Sequence, residues 1–218
     1  SRKRLTELTQ REAKSAAREC FRADGPYMRG MIEKVAEDLF RTRSRSEYAD
    51  AAALFVCQPG RDTGNADEDN NARALARAIQ RYTGEEPEIV IHADGDGPAR
   101  IKRFRKGNRP FIVAINMVSE GVDIPRIRSV AFCRYTESEM LFRQIAGRAA
   151  RRTIPNDPQP AQLYVPGFPI MRSFGQQLWD ESQQGLRERE DRPPRESENE
   201  GASENGAKLP SPASVRRR

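Results

Sequence analysis

The stretch "PFIVAINMVSEGVDIPRIRSVAFCRY", residues 110 to 135, contains two apolar runs separated by a turn-rich polar segment. Residues 110–116 and 129–135 are apolar at successive positions rather than at alternate ones, which predicts strands covered on both faces. Strands of that kind lie in parallel sheets with helices on either side. Outward from this stretch, "AALFVC" (52–57), "EIVIHA" (88–93) and "AQLYVP" (161–166) read as further strands. Segments at about 69–83, 97–106 and 137–151 carry helical spacing between them. The alternation predicts an α/β fold built on a parallel sheet. Such sheets put ligand-binding loops at the carboxyl ends of their strands. The strands at 110–116 and 129–135, taken as neighbours, are expected to deliver their outgoing loops to one edge.

Two helices precede this unit, at residues 4–20 and about 26–43, with "DGP" at 24–26 as the break and Pro26 suited to a first helical turn. Met28, Met31, Ile32, Val35 and Leu39 form an apolar stripe on the second. A last helix is expected at about 168–186, including Phe174, Leu178 and Trp179. From Glu188 onward the chain is charged, serine-rich and poor in large apolar residues, the composition of a disordered tail. The expected organisation is a helical connector over 1–48, an α/β domain over 49–187 and a disordered tail over 188–218.

Thirty-eight Lys and Arg against 32 Asp and Glu give a net charge of +6 over 218 residues, which favours a polyanionic partner. No apolar run reaches 18 residues and no cationic, apolar leader is present, so the expectation is a cytoplasmic protein without a membrane partner. Cys20, Cys57 and Cys133 are odd in number and widely spaced, which predicts buried free thiols. With His92 the only histidine and no Cys-x-x-Cys pair, a zinc site is not expected. The chain starts with Ser1 inside a helical pattern, as a fragment of something longer would.

"FRQIAGRAARR", residues 142 to 152, places a glycine and four arginines in a helical pattern. Thr136 followed by Glu139 has the spacing of a capping box, which predicts a helix start at about Glu137. Phe142, Ile145, Ala146 and Ala149 then share one face, and Gln144, Gly147, Arg148 and Arg151 share the opposite one. A glycine in a helix interior costs about 1 kcal/mol against alanine. That cost is tolerable where a ligand must come close.

"NMVSEGVDIP" (116–125) resembles motif V, and "QIAGRAAR" (144–151) resembles motif VI, of the superfamily 2 helicases. The longer phrase over residues 103–152 is similar to the carboxyl-terminal RecA-like domain of bacterial and phage DEAD/DEAH-box helicase-like proteins. The resemblance covers about residues 50–186, and it implies a RecA-like parallel sheet. It also implies that Arg148 and Arg151 are arginine fingers toward the phosphates of ATP, with Gln144 and Gly147 on the same cleft. Gly121 would permit the tight turn of motif V, and Asp123 would accept from the ribose hydroxyls. Asn116, Ser119 and Glu120 would face the nucleic-acid backbone or couple it to the nucleotide. "LFVCQPG" (54–60) resembles motif IV and brings Gln58 and Gly60 to the strand of nucleic acid, where His92, Gly95 and Arg100 are further candidates. On their own residue types, Gly60 and Gly95 read as turn formers and His92 as a loop histidine.

A helicase of this kind also requires a Walker A loop and a Walker B carboxylate for Mg²⁺, and neither pattern occurs here. The resemblance therefore implies an amino-terminal RecA-like domain, in cis or in trans, that holds ATP and Mg²⁺. The expected function is the carboxyl-terminal half of an ATP-dependent helicase or translocase acting on nucleic acid, DNA before RNA, and inactive alone. The alternative is a non-catalytic, basic nucleic-acid-binding or regulatory remnant of a helicase.

Overall fold

The computed structural model describes residues 3–58, 68–91, 95–115, 124–148 and 161–190. In chain order the elements are α1 (Gln10–Cys20), α2 (Pro26–Arg43), β1 (Ala52–Cys57), α3 (Glu68–Thr83), β2 (Glu88–Val90) and α4 (Gly97–Lys106). They continue as β3 (Phe111–Ile115), β4 (Ile127–Cys133), α5 (Glu139–Ala146), β5 (Gln162–Tyr164) and α6 (Pro169–Glu190). The five strands form one sheet in the order β2-β3-β1-β4-β5, and every pairing is parallel.

Every residue of β1, β3 and β4 is buried, as their unbroken apolar character predicts. Because side chains alternate along a strand, these residues divide between two cores. Leu54, Val56, Ile112, Ala114, Val130 and Phe132 face α1, α4, α5 and α6. Ala53, Phe55, Phe111, Val113, Cys57 and Cys133 face α2 and α3. The stripe Met28, Ile32, Val35 and Leu39 is wholly buried in that second core.

Since α1 and α2 cover opposite faces, the segment between them has to cross the sheet. Phe21 packs against both cores, and residues 21–24 lie beside Cys57, Gln58 and Cys133 at the carboxyl edge. The amino-terminal connector thus roofs the edge at which ligands of parallel sheets bind. At the opposite edge, the buried Arg126 donates to three carbonyls: Phe104 O at 2.7 Å, Asp50 O at 2.9 Å and Arg109 O at 2.9 Å. Its guanidinium lies 4.0 Å from the Phe104 ring, and burial pulls its pKa down to about 10.

Several boundaries depart from expectation. The helix expected over 4–20 is interrupted, because Thr9 and Glu12 form a capping box that starts α1 at Gln10. Before it, Leu5–Glu7 make a single 3-10 turn. Strands β2 and β5 are shorter than their apolar runs. Helix α6 continues to Glu190, so residues 188–190 are helical rather than part of a disordered tail, and residues 191–218 lie outside the described residues. Trp179, on that helix, is 59% exposed. The three cysteines are buried and free, and burial pushes the Cys20 and Cys57 thiols up to about 12.

Candidate functional site

Three strand ends build the carboxyl edge at its centre. β1 runs into Gln58, β3 into the motif V segment and β4 into Arg134. The expectation that β3 and β4 are neighbours is corrected here: β1 pairs with both and lies between them. The carboxyl ends of β3 and β4 still lie at one edge, but on either side of the end of β1, which leads into Gln58. The Gln58 N–H donates to Cys133 O at 3.3 Å, which fixes the half-buried residue across the tops of β1 and β4.

The helix carrying the motif VI pattern also starts differently from its expected form. Ser138, not Thr136, is the cap of α5: its hydroxyl accepts from the Leu141 N–H at 3.2 Å. The buried Thr136 hydroxyl accepts from the Ser138 N–H at 3.1 Å, so it orders the turn before the helix. Glu139 is consequently the first helical residue, and it pairs with Arg143 at 2.7 Å rather than reaching back to the cap. Tyr135 and Glu137, in the approach to α5, are joined at 3.1 Å, and Lys14 of α1 reaches Glu137 at 2.8 Å. Burial, together with the adjacent Glu137 carboxylate, pushes the Tyr135 phenol up to about 12.

The two faces of α5 separate as their spacing predicts. Phe142, Ile145 and Ala146 are buried, and Phe142 stacks on Phe132 with ring centroids 4.5 Å apart. Gln144 and Gly147 are exposed and Arg148 is half-buried. Gly147 is the C-cap of α5, with φ −59° and ψ −16°, and not an interior residue. The interior penalty therefore does not apply, and no left-handed backbone requires the glycine. Arg143 is bound to Glu181 of α6 through two bonds of 2.7 Å. Those bonds and the one to Glu139 hold its pKa above the ordinary arginine value.

Of the other site candidates, Asn116, Ser119, Glu120, Gly121, Asp123 and Arg151 lie outside the described residues, as do Gly60 and His92. Gly95 has φ +67°, the conformation of a turn glycine. Arg100 is engaged locally, with Nε 2.8 Å from the Asp96 carboxylate and Nη1 3.3 Å from Ile89 O. Arg134, which belongs to neither motif pattern, directly follows β4 at this same edge, and burial lowers its pKa. A charged residue closing an apolar strand was the available signal. Among the described residues no group of His, Cys, Asp or Glu could hold a metal ion. No described helix is long and apolar enough to cross a membrane.

A five-stranded parallel sheet with helices on both faces defines an α/β domain of the class its strand and helix pattern predicts. Residues 92–153 match the helicase conserved C-terminal domain, the family that the motif V and motif VI patterns resemble. The protein Rv2917 of Mycobacterium tuberculosis is 29% identical over 171 residues, covering 78% of this chain and 26% of its own length. The chain thus spans about a quarter of that relative. The type I restriction enzyme EcoKI endonuclease subunit of Escherichia coli is 39% identical over 69 residues, 29% of this chain and 6% of that protein. Domain 2 of the DEAD-box helicase Mss116p, solved bound to an RNA duplex, aligns with TM-score 0.44 and 14% identity over 62% of this chain and 50% of that one.

Proposed function

We propose that this chain is the carboxyl-terminal half of an ATP-dependent superfamily 2 helicase or translocase, with its ATP site completed by an amino-terminal RecA-like domain. The observation that carries the reading is the family match over residues 92–153, which takes in both the motif V and the motif VI pattern. The end of α5 supports it: Gln144 is exposed on the helix, and Arg148 lies half-buried just past the C-cap Gly147. This set holds donors and a cation without a metal ligand. It suits the charge of a triphosphate and leaves Mg²⁺ and the phosphate cradle to the other domain.

In this reading, Arg148 and Arg151 neutralise charge on the transferred phosphoryl group, and Gln144 donates at the same cleft. Asp123 accepts from the ribose, and Gly121 allows the chain to turn beside it. Gln58, His92, Asn116, Ser119 and Glu120 face the nucleic-acid strand. The likeness to a restriction endonuclease subunit favours DNA. Bound ATP supplies the charge that draws the two domains together, and its loss lets them part.

The test joins this chain to its upstream half and measures ATP turnover with and without single-stranded nucleic acid. Stimulated turnover is expected, and Arg151→Ala should lower it at least about a hundredfold while leaving the melting transition in place. Undiminished turnover in that variant refutes the finger role. Strand binding with no turnover in the completed protein would instead identify a regulatory remnant.

A further inference from the structure

We infer that the roofed cleft at the β1/β4 edge is a second phosphate-binding site, distinct from the motif VI face, for a nucleoside phosphate that is either free or one unit of a single strand. The inference goes beyond the proposed ATP site, and for a strand it deepens, and rests on, the strand contact proposed for Gln58.

The position is the first argument. The helix after β1 packs on one face of the sheet and the helix after β4 on the other, so β1 and β4 form the topological switch point. Parallel α/β sheets bind ligands in the crevice beyond the carboxyl ends of such strands. Here that crevice is a cleft of about 480 Å³, closed on one side by residues 21–24 and on the other by α3. Its volume lies in the range of small-ligand pockets, roughly 300–1,000 Å³.

Its charge is the second argument. Among the described residues, the lining holds four guanidinium groups, from Arg18, Arg22, Arg77 and Arg81, and one carboxylate, Asp24. Arg22 binds that carboxylate at 3.2 Å and also meets Glu19 at 3.3 Å, which accounts for Arg22. Arg18 and Arg77 take part in none of the salt bridges among the described residues, and Arg81 meets Asp24 only at longer range. Two helices, α1 and α3, therefore bring three cations to one concavity, which an anion would stabilise. Gln58 also lines the cleft, and the buried Cys57, Cys133 and Leu75 give it an apolar part. Cations beside an apolar part suit a phosphate attached to a base better than an inorganic anion.

Two probes test this with the 218-residue chain: a fluorescein-labelled oligothymidylate of about a dozen nucleotides, a length within the usual site sizes for single strands, read by anisotropy, and unlabelled ADP as competitor. Arg77→Glu with Arg81→Glu should weaken binding at least tenfold and flatten the salt dependence by about 0.7 log units per lost phosphate contact. Lys102→Glu with Lys106→Glu, an equal charge change on α4, should have at most a twofold effect. Ala74→Trp fills the cleft without changing charge and should also weaken binding at least tenfold; a thermal melt checks that each variant is folded. Competition by micromolar ADP assigns the site to free nucleotide, and its absence assigns it to the strand. Equal losses in the α3 and α4 variants, unchanged binding in Ala74→Trp, or no binding of either probe would each overturn the proposal.

Discussion

Three arginines illustrate how position decides what a guanidinium does. Arg126 is buried and commits its fork to three backbone carbonyls at the amino edge of the sheet. Arg143 is tied to Glu139 and Glu181 and holds α5 to α6. Arg148, five residues later, lies half-buried just past the end of α5. Motif reading finds Arg148 because its neighbours form a pattern, whereas nothing local in "DIPRIRS" reveals that Arg126 is structural. Its partners come from residues 17, 22 and 76 positions away. Arg126→Lys keeps the charge but cannot span those carbonyls, and should lower unfolding free energy by about 2–3 kcal/mol in urea titration. Gln144→Ala, on the exposed face, should stay within about 0.5 kcal/mol in the same experiment.

At the scale of elements, the start of α5 separates two hydroxyls that the sequence presents as equivalent. Ser138→Ala removes the cap and should cost about 1 kcal/mol. Thr136→Val, which keeps shape and loses only the bond ahead of the helix, should cost less; the reverse order would restore Thr136 as the cap. A second junction, between α2 and β5, depends on a charge. Asp38 is 9% exposed, and its carboxylate accepts from Lys34 at 2.8 Å and from the Tyr164 hydroxyl at 2.9 Å. Burial alone would raise its pKa, but the Lys34 and Tyr164 bonds and the nearby Arg41 outweigh that and lower it. A lowered folded-state pKa contributes stability above the unfolded value of about 3.9, and that stability drains as pH falls through the folded value. Melting temperatures from pH 7 down to pH 3 should therefore fall less steeply for Asp38→Asn than for the wild type, from a lower start at pH 7. Helices α2 and α4 and strand β1 were legible to the residue because Pro26, Gly107 and unbroken apolar runs mark their ends. The cap of α5 was not, since two hydroxyls two residues apart offer the same chemistry and packing of Thr136 chooses between them.

For the whole molecule, strand content was legible but strand order was not. Each strand is defined by its own residues, while the insertion of β1 between β3 and β4 is fixed by crossovers that return to the sheet from opposite faces. Order decides which strand ends meet, and so places Gln58, rather than a direct junction of motifs V and VI, at the centre of the edge. The same molecule-wide view divides the chemistry between domains. Among the described residues there is no cluster of metal ligands, whereas cations crowd the carboxyl edge. Magnesium should therefore do little to this chain in isolation. A ligand that binds only the folded state stabilises it by RT ln(1 + [L]/Kd), about 2.7 kcal/mol at a hundred times Kd. Millimolar Mg²⁺ should thus move the melting temperature by less than about 1 °C, since a shift of several degrees requires about 1 kcal/mol or more. Joined to its upstream half and given ATP, the protein should show a clear Mg²⁺-dependent shift, read by scanning calorimetry. A large shift in the isolated chain would place a metal site within these 218 residues and would end the division of labour on which the two-domain reading depends.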